Sequence, residues 1–205
     1  MAKDASLCFA DKKMVICISG MAGTGKSTLS KKLAQKYGLK CYSGGDALKE
    51  LAAAEGYDVS RQGWWESPEG LTFLKERVND PKFDKAVDAK LIEYAKQDSV
   101  LLDSWTMPWL LEFGFKIWLM ASIEKRAARV AERDKITVSQ ALQVLEEKES
   151  RTKAIYKKLY GFSLGEDLSP FDLVLDTDNL DAEQVFEVLC RAIGSLALSV
   201  SEPAE

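Results

Sequence analysis

Gly20-Met-Ala-Gly-Thr-Gly-Lys-Ser27 sets glycines at its first and sixth positions and follows the second with a lysine and a hydroxyl residue. This G-x-x-x-x-G-K-S/T spacing suits a polyphosphate. Glycines let backbone N–H groups turn inward without a Cβ clash, and a helix that starts at the lysine adds partial positive charge beneath the anion. Gly20, Met21, Ala22, Gly23, Thr24, Gly25, Lys26, Ser27 and Thr28 are therefore expected to hold the phosphates of a nucleoside triphosphate, with Lys26 as a mobile cation on the β and γ groups. Ser27 offers a hydroxyl to Mg²⁺, a cation that prefers hard oxygen donors. Asp103, which ends an apolar run, suits the same ion directly or through water, although a loop cap is its plainer meaning.

Transfer of a phosphoryl group spreads negative charge over that group, so cations must reach it once water is excluded. Arg126, Arg129 and Arg133 lie at i, i+3 and i+7 just after Ser122. Such a run is often a solvated face; the preferred reading places Arg129 and Arg133 on the transferring group and Arg126 on the nucleotide, with Arg151 further along as an additional binding group. The chain has no histidine, which excludes Ser-His-Asp and Cys-His catalysis, histidine zinc sites and an imidazole pH switch.

Those residues need a scaffold, and the composition supplies one. Of 205 residues, 46% are hydrophobic and 29% charged, a globular balance for one domain with a mobile flap. Lysine and arginine number 28 against 32 acidic residues, so the net charge of −4 gives no whole-protein field for nucleic acid or an anionic membrane. Cys8, Cys17, Cys41 and Cys190 are widely spaced and read as reduced core thiols. No apolar run is long enough to span a bilayer, and the amino terminus lacks a signal-peptide segment, so the expected location is cytoplasmic. No exposed heptad seam is evident, and a monomer is expected.

Apolar, β-branched runs at 15–18, 39–42, 99–103, 115–120 and 171–176 predict five strands. Helical spacing predicts helices over 26–37, over 47–54 after Asp46 as cap, over 83–96, after Ser122, and from Asp181 with Val185, Val188, Leu189, Ala192 and Leu196 inward. Thr137 and Gln140 form a capping box at the start of a long helix that reaches Tyr160 and whose charged middle suggests a solvated flap. Residues 56–80, with Gly63, Ser67-Pro68 and Gly70, predict a loop and a short helix outside the core scaffold. There Trp64 and Trp65 read first as an anchor and second as a surface for stacking a base. The tail after Ser199 is expected to fray. Strands alternating with helices imply a parallel sheet covered on both faces, with ligands beyond its carboxyl edge.

From about Met14 to Ser195 the chain resembles nucleoside monophosphate kinases, in particular the archaeal type of cytidylate kinase. The resemblance rests on Ile18–Thr28, on Tyr42-Ser-Gly-Gly-Asp-Ala-Leu-Lys-Glu50, and on Asp80-Pro-Lys-Phe-Asp84 followed by Asp88. It continues through Lys116-Ile-Trp-Leu119 with the three arginines, Tyr156-Lys-Lys-Leu-Tyr-Gly161 and Phe171–Thr177. What it implies is a P-loop fold, ATP and Mg²⁺ as cofactors, a pyrimidine nucleoside monophosphate as acceptor, an acceptor region near 43–96 and an arginine lid near 126–160. Ser43, Gly45, Asp46, Lys49, Asp84, Trp105 and Arg151 become the acceptor-binding candidates on that basis.

Three departures fall at the acceptor: Lys49 and Trp105 each stand where the family has an arginine, as does Ile155 before Tyr156, and 61–79 is longer than its counterpart. Two alternatives stay open. One is a kinase of a different small molecule, with Trp64, Trp65 and Trp105 shaping the pocket and Asp46, Asp84 or Asp103 as base; the other is a nucleotide-binding regulator without acceptor turnover.

Overall fold

The computed structural model describes residues 13–199, without the side chains of Val78, Asn79 and 196–199. The expectations for Cys8, for Leu196 and for the tail beyond Ser199 lie outside these residues. Five strands, β1 (Val15–Gly20), β2 (Lys40–Ser43), β3 (Val100–Asp103), β4 (Phe115–Met120) and β5 (Leu173–Asp176), form one sheet in the order β2-β3-β1-β4-β5. Every pairing is parallel. Neighbouring residues of β1 and β3 face opposite sides, and both sides are covered. Val15, Cys17, Val100 and Leu102 pack one way, and Ile16, Ile18 and Leu101 pack the other. This is why these strands read as unbroken apolar runs rather than alternating ones.

On the second of those faces lie α1 (Lys26–Tyr37) and α8 (Ala182–Ser199), tied by the Tyr37 hydroxyl donating to the Cys190 carbonyl at 3.0 Å. Asp181 caps α8 as expected, through the N–H groups of Glu183 and Gln184, but Val188 is exposed. The opposite face holds α2 (Gly44–Ala54), α3 (Pro68–Asn79), α4 (Lys82–Gln97) and the short α5 (Met107–Leu110). Helix α2 starts three residues earlier than predicted. Ser43, not Asp46, is its cap, and its hydroxyl accepts from the Asp46 N–H at 3.1 Å.

The larger correction concerns 56–80. Ser67 caps α3 by accepting from the Gly70 N–H at 3.2 Å, and Pro68 takes the first turn, where its missing N–H costs nothing. The Ser-Pro pair that read as a break is a helix start. Phe73 and Leu74 of α3 are buried, and Trp64, in a 3₁₀ turn over Trp64–Glu66, anchors the segment in the same core. The segment is therefore core scaffold.

Helix α6 (Ile123–Asp134) runs from its Ser122 cap to α7 (Val138–Tyr160), which begins with the expected capping box. Helix α7 is no solvated flap along its whole length: Ala141, Leu145, Lys148, Thr152 and Ile155, spaced by four and three, are buried. They face α6, α3 and the residues around Trp118. Cys17, Cys41 and Cys190 are free thiols, and Cys17 is buried. Among the described residues no helix is long and apolar enough to cross a membrane.

Asp88 of α4 links three helices. It accepts from the Thr106 hydroxyl and from the Tyr160 hydroxyl, each at 2.6 Å, with 6% of its surface exposed. Burial pushes its carboxyl up to about 6, outweighing the two hydroxyl donors that favour the charged form. Because this lies above the unfolded value of about 3.9, the folded chain binds the extra proton and stability is lost as pH rises from about 4 through about 6. Asp88→Asn has no such proton. The stability difference between wild type and Asp88→Asn should therefore shift against the wild type by about 2 kcal/mol between pH 4 and pH 7. Urea unfolding at both pH values checks this, and a difference that does not change with pH would contradict it.

Candidate functional site

The carboxyl ends of β1, β3 and β2 bring Gly20, Asp103 and Ser43 side by side, with Asp103 in register with both Ile18 and Ser43. After Gly20 the chain turns tightly against two neighbours. A Cβ on Gly20, at φ 149°, would stand 2.5 Å from the Leu119 carbonyl oxygen; one on Gly23, at φ 84°, would stand 2.8 Å from that of Arg126. Glycine is needed at both. Helix α1 then starts with Gly25 as its N-cap and no side-chain cap, which leaves its first N–H groups available to an anion.

Lys26 bends over this turn and donates to the Met21 carbonyl at 3.4 Å, as does the Thr24 hydroxyl at 2.9 Å. Burial lowers the pKa of Lys26, a shift that the Asp103 carboxylate opposes and the Lys148 ammonium reinforces. The Ser27 hydroxyl donates to Asp103 Oδ2 at 2.6 Å. The two residues thus present hard oxygen donors of the kind Mg²⁺ prefers. Among the described residues no cluster of three or more acidic or cysteine side chains forms a metal cage. An ion here would complete its shell from phosphate oxygens and water, as Mg²⁺ characteristically does.

A cavity of about 400 Å³ extends from the glycine turn across to α3, α4 and α7. Its wall includes Ala22, Gly23, Gly25, Lys26, Ser27 and Thr28 at one end, and Ser43, Gly45, Asp46, Asp84, Asp103 and Trp105 beyond them. Arg129 and Arg133 of α6 also line it. Gly20, Met21 and Thr24 belong to the turn beneath the wall. Lys49 and Arg151 are not brought to the cavity, and Arg151 pairs with Glu147 one helical turn back at 2.7 Å.

The three arginines of α6 do different things. Arg126, almost fully buried, lies behind the wall and donates to the Ala121 and Ala22 carbonyls at 3.1 Å each while pairing with Glu149 of α7. It braces the glycine turn against both helices. Arg129 donates to the Thr177 carbonyl at 3.2 Å, and Arg133 pairs with Asp134 at 2.7 Å and with Glu66 at 2.9 Å. Trp105 donates its indole N–H to the Gly20 carbonyl at 2.5 Å, stands edge-on to Tyr156, and offers its ring to Lys26 at 5.4 Å. Ile155 packs in the core instead of lining the cavity.

Sequence reasoning missed Arg77, Lys148 and Glu66 on this wall. Arg77 and Asp84 form a buried ion pair, with Arg77 Nε donating to Asp84 Oδ2 at 3.1 Å. Lys148 pairs with Glu66 and lies over the rings of Trp65 and Trp105 at 5.8 and 5.9 Å. Burial alone would raise the Glu66 pKa, but the Lys148 ammonium and Arg133 guanidinium outweigh it and hold the carboxyl below its ordinary value. A signal was present for Lys148: it falls on the apolar stripe of α7, where an exposed charge has no place.

Comparison with known proteins agrees with this geometry. The sequence model of the cytidylate kinase-like family matches residues 15–179. A protein of Pyrococcus horikoshii named cytidylate kinase is 36% identical over 185 residues, covering 90% of each chain. One of Methanocaldococcus jannaschii with the same name is 35% identical over 188 residues, covering 89% of this chain and 99% of that one. Among solved structures, shikimate kinase from Acinetobacter baumannii superposes with a TM-score of 0.56 at 17% identity, covering 93% of this chain and 97% of that one. That likeness is one of fold alone. With its glycine turn, its Ser27–Asp103 pair and its matched length, the chain belongs to the cytidylate kinase-like family.

Proposed function

We propose that the protein is an ATP- and Mg²⁺-dependent nucleoside monophosphate kinase that converts CMP or dCMP to the diphosphate, with ADP as the second product. The observation that carries this is the juxtaposition, in one cavity, of an open helix N-terminus with Lys26 and a second part walled by Ser43, Asp46, Trp65, Asp84 and Trp105. Relatives named cytidylate kinase favour it over phosphorylation of a non-nucleotide molecule and over a regulator without turnover.

In this reading 43–96 is the acceptor region and 126–160 the lid of a single kinase domain. The glycine turn and Lys26 hold the triphosphate, and Ser27 and Asp103 hold Mg²⁺, which supplies charge neutralisation on the phosphate oxygens. An oxygen of the acceptor's phosphate attacks the γ phosphorus in line, and the bond to the β-phosphate oxygen breaks to release ADP. The attacking oxygen is already anionic, so a general base is not required, consistent with a chain without histidine. Arg129 and Arg133 face the region where charge spreads, while Arg126 positions the turn through the Ala22 carbonyl.

An ADP-release assay with ATP, Mg²⁺ and a panel of CMP, dCMP, UMP, AMP, GMP and dTMP should show turnover of the cytosine nucleotides. Silence across the panel would refute the assignment. Lys26→Ala should lower kcat by about 10²-fold or more, and unchanged turnover would remove the phosphate-loop role. Arg129→Ala should lower kcat by about 10²-fold with KM nearly unchanged. A rise in KM with kcat intact would make Arg129 a plain binding group.

A further inference from the structure

Glu66 stands on the cavity wall with two cations converging on it from different helices. Its Oε1 accepts from Lys148 of α7 and its Oε2 from Arg133 of α6 at 2.9 Å, and its side chain is 6% exposed. All three residues line the cavity. This differs from the Arg126–Glu149 pair, which lies behind the wall and binds the turn to the lid. At Glu66 the Lys148 ammonium and the Arg133 guanidinium, whose Nε and Nη2 also hold Asp134, present themselves to the two oxygens of one anion, with the rings of Trp65 and Trp105 beside the ammonium. That arrangement is what a phosphoryl group would require.

We propose that the Glu66 carboxylate is the resting occupant of an oxyanion subsite formed by Lys148 and Arg133, and that acceptor binding exchanges it for the acceptor's phosphomonoester dianion. This rests on the reading that the part of the cavity beyond the glycine turn takes a phosphorylated acceptor. Lys148 is buried, so it does not remain unpaired when Glu66 leaves, and release of Glu66 is tied to arrival of another anion. A dianion brings more charge and more acceptor oxygens than the carboxylate it displaces, so the exchange can run forward. Glu66 sits in a 3₁₀ turn of three residues next to Gly63, which has φ 69°; it is carried by a short connection, not by the body of a helix. Glu66 thus competes with the acceptor and at the same time neutralises Lys148 when the subsite holds no ligand.

The competitor and a merely structural clasp predict opposite signs. Removing a clasp loosens the site, whereas removing a competitor tightens binding. Isothermal titration of the full chain, with ADP and Mg²⁺ saturating the glycine turn, should give dissociation constants for inorganic phosphate and for CMP about tenfold lower in Glu66→Gln than in wild type. Unchanged or weaker phosphate binding by a folded Glu66→Gln overturns the proposal. Should that variant fail to fold, Lys148→Met decides: phosphate and CMP affinity should fall more than tenfold while ADP affinity holds, and wild-type phosphate affinity in Lys148→Met overturns it. Tighter phosphate binding in Glu66→Gln with no CMP binding in either protein would uphold the subsite and remove CMP as the acceptor.

Discussion

Positive side chains gathered round one cavity repel each other, and each loses hydration as the walls close over it. In this protein carboxylates from several elements offset that cost: Glu149 for Arg126, Glu66 for Arg133 and Lys148, and Asp84 for Arg77. Breaking a buried pair such as Arg77–Asp84 from one side costs about 3–5 kcal/mol, a large part of the stability of a domain this size. The packing of α3, α6 and α7 is therefore constrained by charge as much as by their apolar stripes. Among the described residues, Lys26 and Arg129 are the cavity-lining cations outside these ion pairs.

The sheet supplies the fixed frame. Hydrogen-bonded neighbours in a sheet stand about 4.8 Å apart, so the parallel register that sets Ser43 beside Asp103, and Asp103 beside Ile18, places three strand ends within reach of one small ligand. Around that frame the contacts are of two kinds. Gly20 and Gly23 let backbone press on backbone, while Trp105 and Arg126 hold the turn from either side through the Gly20 and Ala22 carbonyls.

Local features were legible in the sequence. The β-branched run before Gly20 and the four-residue spacing after Lys26 identify a strand and a helix without outside information, and the motif between them states its own chemistry. The five parallel strands follow from the same kind of reading. That 56–80 carries a helix was legible, but its place in the core scaffold was not, because Ser67, Pro68 and Gly70 say nothing of which side chains turn inward; only the burial of Phe73 and Leu74 decides. Lys148 is masked by the charged run from Glu146 to Lys153 and marked only by its place on the stripe of Ala141, Leu145 and Ile155; that it meets Glu66 is set by contacts far away in sequence. Arg126, Arg129 and Arg133 look alike on a helical repeat, yet the first is a brace and the others line the cavity.

The two ends of the cavity differ in what they are made of. The glycine turn presses on the main chain of Leu119 and Arg126, an approach that no substitution of those two residues removes, whereas the opposite end is shaped by side chains from α2, α3, α4 and α7. Mutation can thus explore new acceptors at one end while the other stays as it is. Trp105 lines the cavity at that end while its indole bonds to the Gly20 carbonyl, whereas Lys49 and Ile155 lie off the cavity, the isoleucine in the core. A scaffold divided in this way gives a lineage a low-cost route to diversify what it phosphorylates.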